Sequence, residues 1–488
     1  MNADRCEYSA QAPLRIVNRC SISVLALLLA GCARFESRPI SPAQRAAQLE
    51  SRRLDDAGLR EFLERNLAHE LETWPPKAWD FKTLTLAAFY FHPSLDVARA
   101  QWSAAQAAVR TAGGRPNPTL NLVPGYDFSA ANGVSPWIPF VSVDVPVETA
   151  GKRGRRLAKA AHLSESARLN LATVAWQVRS NVRGNLLDFT LADRRAALLE
   201  NQLQAQEQIV KLLEQRLALG AISQTELTAA RIGLNKTRID LGDAQSKRGD
   251  ARARLAASVG VSAGALEGVR LSAEFAADSA GQLTSADARR IALQGRSDVL
   301  GALADYAAAE AELRLQMAKQ YPDVHLSPGY QYDQGDNKWT LGITFELPLL
   351  NQNQGPIAEA RARREESAAR FTELQARVIG EIDRAGAAYR AAREQTAVTD
   401  VLLDAARRQE RSAEAQLQAG IADRLDRLNT QLELGVAALA QLDGRAKLQQ
   451  SIGALEDALQ QPIDSAGPTG SAASLIKTAQ NPPEPSTR

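Results

Sequence analysis

Groups able to do chemistry are few in this chain, and they are dispersed. Its four histidines, His69, His92, His162 and His325, show none of the short spacings that let metal ligands share one helix or turn. The cysteines, Cys6, Cys20 and Cys32, all fall near the start, and Met317 is the only methionine beyond Met1. Neither a thiolate set nor a thioether cluster for copper is available. The sequence contains no phosphate-cradling P-loop, no Gly-x-Gly-x-x-Gly after a strand pattern, and no Gly-x-Ser-x-Gly nucleophile elbow. Asp and Glu number 56 against 58 Lys and Arg, so no bulk charge draws the chain to nucleic acid. The carboxylates lie on helix-patterned segments, where solvation and i,i+4 pairing account for them. This reading assigns no catalytic residues, no metal ligands and no cofactor. The elements around these groups carry the information instead.

The leader is the first of them. Arg15 and Arg19 precede the apolar run Ser21–Ala30, which is too short to span a bilayer and suits a signal sequence. Leu29-Ala30-Gly31-Cys32 closes it and resembles a bacterial lipobox. That resemblance implies acylation of Cys32 as the first mature residue, and Ala33 after it implies sorting to the outer membrane. The mature chain would then hold no free thiol, which suits an oxidising compartment. Residues 1–31 are read as signal and 32–83 as an N-terminal periplasmic segment, with a helix expected over Ser41–Leu71.

Beyond Cys32 no stretch is apolar enough for a membrane helix, so any crossing must be made by a closed barrel. Four segments have the pattern for it. Thr119–Phe128 puts Leu120, Leu122, Pro124, Tyr126 and Phe128 on one face. Trp137–Val147 does so with Trp137, Val141, Val143, Val145 and Val147. Asp323–Asp333 alternates with Val324, Leu326, Pro328, Tyr330 and Tyr332, and Trp339–Leu349 with Trp339, Leu341, Ile343, Phe345, Leu347 and Leu349. Period-two alternation marks strands with one apolar and one wet face. Each is about ten residues long, the length of a tilted transmembrane strand. The loop Ser129–Pro136 and the polar turn Gln334–Lys338 join them as two hairpins.

The chain is also a tandem repeat. At an offset of 204, Pro118 meets Pro322 and Gly125-Tyr126 meets Gly329-Tyr330. At 200, Val178, Val182, Phe189, Gly220 and Glu226 meet Val378, Ile382, Tyr389, Gly420 and Asp426. Each copy reads helix, hairpin, very long helix, sharp turn, helix. Copy one covers 84–259, with helices over Leu84–Gly113, Lys152–Leu217 and Gln224–Ser258. Copy two covers 285–460, with helices over Ser285–Gln320, Ile357–Gln418 and Arg424–Gln460. Narrow apolar stripes along the long helices predict coiled-coil packing over about 100 Å. Residues 260–284 read as a linker and 461–488 as a disordered tail. Four strands cannot close a barrel, since the smallest have eight, so the chain must oligomerise.

Signal, hairpins and long helices together resemble the TolC-like outer membrane efflux proteins over about Asp80–Gln460. Arg115-Pro116-Asn117-Pro118-Thr119-Leu120, Val145-Pro146-Val147-Glu148 with Gly151-Lys152-Arg153 and Arg156, and Leu347–Gly355 resemble the CzcC-like, heavy-metal branch. Gln352 departs from the arginine common there. The fold class implied is mainly α with membrane β: a trimer with a twelve-stranded barrel and a twelve-helix periplasmic tunnel. The resemblance also implies a periplasmic adaptor and an inner-membrane pump of the proton-driven resistance-nodulation-division type. The chain itself would be a passive exit duct in the outer membrane, and metal selectivity would reside in the pump rather than in the duct.

By the same resemblance, Leu219, Gly220, Ala221 and Ile222, with Ala419, Gly420 and Ile421, are the adaptor-docking tips. Glu226 and Asp426 are the acids of the closing aperture, with Arg424 or Arg427 as their partner. Ordinary helix–turn–helix chemistry also explains Gly220 and Gly420, and the caps Ser223 and Asp423. The competing classes are a duct for organic solutes, a lipid-anchored periplasmic coiled-coil scaffold, and, more distantly, a hydrolase. Lipid-length strands speak against the scaffold, and the missing catalytic constellation against the hydrolase.

Overall fold

The computed structural model describes residues 35–131, 133–272, 285–463 and 476–478. The signal, Cys32, residues 273–284 of the expected linker and nearly all of the expected tail lie outside them. Two compact units divide the chain, Met1–Glu50 and Ser51–Arg488. The first contributes α1 (Pro42–Glu50).

Among the described residues the second unit holds the other elements. In order these are α2 (Ala57–Leu67), α3 (Phe81–Phe91), α4 (Pro93–Ala112), β1 (Thr119–Tyr126), β2 (Trp137–Val147), α5 (Lys152–Ala218) and α6 (Gln224–Val259). They continue as α7 (Ser285–Gly295), α8 (Ser297–Ala318), β3 (Val324–Asp333), β4 (Asp336–Phe345), α9 (Gln354–Gln418) and α10 (Arg424–Leu459). A short 3₁₀ turn, Ala263–Leu266, follows α6. The long helices α5 and α9 run 67 and 65 residues, on the order of 100 Å each. Helices α6 and α10 are both 36 residues long and sit 200 positions apart.

Three expected helices are each two. Over Ser41–Leu71 a second helix, α2, restarts at Asp56, whose side chain accepts from the Leu59 amide. Over Leu84–Gly113 the break falls at His92, held extended before Pro93, which itself opens α4. Over Ser285–Gln320 no proline intervenes, yet the helix breaks at Arg296, whose backbone is extended. Tertiary contacts hold that break. The buried Arg296 guanidinium reaches Asp298, Glu381 and the Ala458 carbonyl, while Gln460 Oε1 accepts from the Ser297 amide and hydroxyl.

The four strands form one antiparallel sheet in the order β1-β2-β3-β4. β3 and β4 meet at Asp333 and Asp336 through a two-residue turn, Gln334-Gly335, both with positive φ. This primed geometry suits a twisted hairpin. The polar turn expected over Gln334–Lys338 is therefore tighter, and the last strand is Asp336–Phe345 rather than Trp339–Leu349. The first strand ends at Tyr126, not Phe128.

Matching cores brace each repeat below its hairpin. In the first, Phe62, Trp79, Leu84, Phe89, Leu171, Leu186 and Leu255 are almost fully buried. In the second, Val299, Leu374, Val378, Ile382, Tyr389 and Ile452 form the counterpart. Each such side chain contributes about 1.5–3 kcal/mol through removal from water. Val178 and Val182 in one core and Val378 and Ile382 in the other are the offset-200 pairs read from the sequence.

Candidate functional site

The sheet has two unlike faces. On one, Leu120 lies beside Val143, Tyr126 beside Trp137, Leu326 beside Ile343, and Tyr330 beside Trp339. This face is bare: Trp339 is 81% exposed and Leu341 66%. The aromatic rings gather at the hairpin ends, Tyr126 against Trp137 and Tyr330 against Trp339, with centroids 5.0 Å apart in both pairs. An apolar band ending in an aromatic girdle is what a lipid-facing barrel wall presents. The opposite face carries Asn121, Ser142, Asp144, His325, Ser327, Gln331, Lys338 and Thr340 in neighbouring registers, with Val123, Ile138 and Phe140 as an apolar group toward the β1–β2 loop. Among the described residues β1 and β4 each pair on one side only. Such edges must be covered in lipid.

The passage from strand to helix is clamped. After β2 the chain turns through Ala150 and Gly151, both left-handed, into α5. Asp323 Oδ1, just before β3, accepts from the Thr149 amide at 2.9 Å and from Lys152 Nζ at 2.7 Å. Arg156 pairs with Glu148 and donates to the Gly114 carbonyl, while Arg153 donates to Gly113. The Glu148, Lys152, Arg153 and Arg156 motif thus fixes the angle at which strand feeds helix. Among the described residues no helix is long and apolar enough to cross a membrane.

At the far ends lie the two tips, built alike. Gly220 N–H donates to Leu217 O and Ala221 N–H to Arg216 O; Gly420 N–H donates to Leu417 O and Ile421 N–H to Gln416 O. These are paired Schellman closures, and they place Gly220 and Gly420 at φ +72° and +73°. Leu219 and Ile421 project into solvent, at 84% and 79% exposure. Ala221 and Ala419 are exposed as well, whereas Ile222 is half-buried against a core of Ile209, Leu213, Leu227 and Leu428 that joins the two tips.

Glu226 and Asp426 are exposed, and each completes a capping box at the third helical position. Glu226 Oε1 accepts from Ser223 Oγ at 3.0 Å, and Asp426 Oδ2 from the Asp423 amide at 3.2 Å. The structure does not pair either acid with the arginines expected beside them. Arg424 donates to Gln208 Oε1, and Arg427 pairs with Glu414. The ion pair that does join the repeats here runs from Arg216 Nη2 to Asp423 Oδ2, 2.6 Å apart. With the Asp426 amide behind it, Arg216 holds the Asp423 carboxyl below the usual carboxylate range.

Two further polar groupings carry no signal in sequence spacing. Between the cores, Arg179 stacks on Phe81 and Trp176 and reaches Glu456 at 3.2 Å. Beside it, Asp457 accepts from Trp176 Nε1 and Ser180 Oγ. Burial pushes the Asp457 carboxyl up from its ordinary value. On the wet strand face, Asp144 joins His325 and Ser327. Both groupings bridge residues more than 170 positions apart.

An open-edged sheet of lipid-length strands that continues into paired helices of this length defines a protomer of an outer-membrane channel. The family model for the outer membrane efflux protein matches residues 90–261 and 288–460, once for each repeat. The chain belongs to the outer membrane efflux protein family, a class of channels rather than enzymes. The cobalt-zinc-cadmium resistance protein CzcC of Cupriavidus metallidurans is 25% identical over 226 residues, 45% of this chain and 52% of its own length. That match therefore spans about half of the relative. Among solved structures, the outer membrane protein VceC of Vibrio cholerae is similar at a TM-score of 0.62 and 20% identity, over 78% of this chain and 95% of its own. The CmeC outer membrane channel of Campylobacter jejuni is similar at 0.65 and 14%, over 100% and 99%. CusC, a protein that forms a transmembrane channel, is similar at 0.62 and 18%, over 88% and 99%. These neighbours share the mainly helical fold with membrane strands.

Proposed function

We propose that this chain is the outer-membrane exit duct of a tripartite efflux system, passively conducting heavy-metal cations delivered by a periplasmic adaptor and an inner-membrane pump of the resistance-nodulation-division type. The observation that carries this reading is the four-stranded sheet with two open edges, bare apolar face and wet opposite face, set on helices of about 100 Å. Three copies of four strands close a twelve-stranded barrel, above the eight-strand minimum, and their helices extend it as a tunnel. In this reading 1–31 is a lipoprotein signal, Cys32 the acylated anchor, 84–259 and 285–460 the two repeats, and 260–284 the link between them.

Leu219–Ile222 and Ala419–Ile421 then meet the adaptor, with Leu219 and Ile421 as the exposed apolar contacts. Glu226 and Asp426 line the aperture as a ring of carboxylates in addition to capping their helices. Such a ring favours cations. Likeness to a cobalt-zinc-cadmium resistance protein supports metal as cargo, and organic solutes are the alternative cargo for the same duct.

Growth of a deletion strain across divalent metals and hydrophobic drugs tests the cargo. Sensitivity to metals alone is expected. Sensitivity to drugs alone would reassign the cargo and keep the duct.

A further inference from the structure

The wet face of the sheet carries a built imidazole. His325 Nδ1 lies 2.8 Å from Asp144 Oδ2, and Ser327 Oγ donates to Asp144 Oδ1 at 2.9 Å. Both oxygens of the carboxylate are therefore engaged, one by the next strand's histidine and one by its serine. An ionised carboxylate only accepts, so the ring proton belongs on Nδ1 and Nε2 presents its lone pair. Among the described residues Nε2 has no hydrogen-bond partner. A carboxylate behind the ring is the arrangement that sets the tautomer and aim of metal-ligating histidines.

The surroundings favour a cation. Asp323 lies two residues from His325 but is matched by Lys152 Nζ at 2.7 Å. Across the sheet His325 faces Thr344 on β4, and Asp144 faces Thr119 on β1, both neutral. The Asp144 carboxylate remains beside the ring, 2.8 Å from Nδ1.

We propose that His325 Nε2, oriented by Asp144, is a weak coordination site for transition-metal dications on the conducting face of the strands. Imidazole nitrogen selects Zn²⁺, Co²⁺ or Ni²⁺ over Mg²⁺ and Ca²⁺, which take oxygen ligands. Among the described residues no group of three or more His, Cys, Asp or Glu forms a metal site, so each chain offers a cation one imidazole. A single weak ligand fits passage, because a conducting site must bind well enough to admit an ion and loosely enough to release it. The inference rests on the duct reading of this face.

The test uses the full-length protein in lipid, labelled with ¹⁵N-histidine and titrated with Co²⁺ while solid-state NMR follows the rings. The His325 Nε2 signal, identified by its loss in His325→Asn, should broaden before those of His69, His92 and His162, and Mg²⁺ should leave it unchanged. Asp144 is a positioning residue, so Asp144→Asn should raise the Co²⁺ concentration required about 10–100-fold. An unaffected His325, or equal effects of Mg²⁺ and Co²⁺, would overturn the site. Bilayer conductance of the same preparation separates the two readings. A conducting protein whose His325 ignores Co²⁺ contradicts the site alone; a non-conducting protein whose His325 binds Co²⁺ contradicts the duct alone.

Discussion

Arg216 at the end of α5 and Asp423 ahead of α10 form an ion pair of 2.6 Å that ties the tip of one repeat to the tip of the other. The pair is partly exposed, so it contributes about 0.2–1 kcal/mol to stability. Under the proposed duct function its consequence is positional: tying tip to tip, it holds the resting aperture closed. Asp423 has a second task as the cap that accepts from the Leu425 and Asp426 amides. Asp423→Asn keeps an acceptor for the cap and removes the charge. It should raise resting conductance in bilayers severalfold with almost no change in melting temperature, whereas Asp423→Ala should also cost about 1 kcal/mol for the lost cap. Equal conductance of Asp423→Asn and wild type would remove Arg216 from tip closure.

The same pair has a defined pH window. Arg216 lowers the Asp423 carboxyl below its unfolded value, so its contribution is fully present above about pH 4 and is lost as pH falls through the lower folded value. Resting conductance should therefore be flat from neutral pH down to about 4. A rise already near pH 6 would point to another group.

Asp457 has the opposite sign. Burial raises it, only partly offset by the donors Ser180 and Trp176 and by Arg179, while Glu456 adds to the rise. The folded state then holds more protons than the unfolded state above the ordinary carboxylate pKa, so stability falls as pH rises through that window. Asp457→Asn should stabilise the protein at pH values above the raised carboxyl's titration and flatten the fall in melting temperature that begins above the ordinary carboxylate pKa. Parallel profiles for the two proteins would contradict this.

Gly220 and Gly184 make a matched contrast. An added Cβ meets nothing within 4 Å at either, but only Gly220 has a positive φ. Gly220→Ala should cost about 1–2 kcal/mol through backbone strain alone. Gly184→Ala, inside α5, should stabilise by about 0.4–1 kcal/mol. Denaturant unfolding of both variants checks the pair.

How much of this was legible in the sequence depends on how local its cause is. Alternation from Trp339 to Phe345 gave the right faces, since period two needs no partner to be seen. The strand's end did not follow from alternation: Leu347 and Leu349 continue the pattern but lie beyond the last residue paired with β3. The single helix expected over Leu84–Gly113 ran through Pro93, although that proline is a local signal for the break; the break at Arg296 rests on Glu381, Ala458 and Gln460, far along the chain. The tips were visible through Gly220, Gly420, Ser223 and Asp423, whose roles are set within six residues. Arg216 was passed over because its partner lies 207 positions away, and Asp144 with His325 for the same reason.

The central claim, that the sheet is part of a water-filled barrel in a membrane, is tested most directly by substituted-cysteine labelling along β4. Cys32 is the last cysteine in the sequence, which keeps the background low. In outer-membrane preparations, cysteines at Thr340, Gly342 and Thr344 should react with a water-soluble maleimide, and cysteines at Leu341, Ile343 and Phe345 should resist it. Equal labelling of both sets, as in a hairpin bathed by water on both sides, would contradict the account.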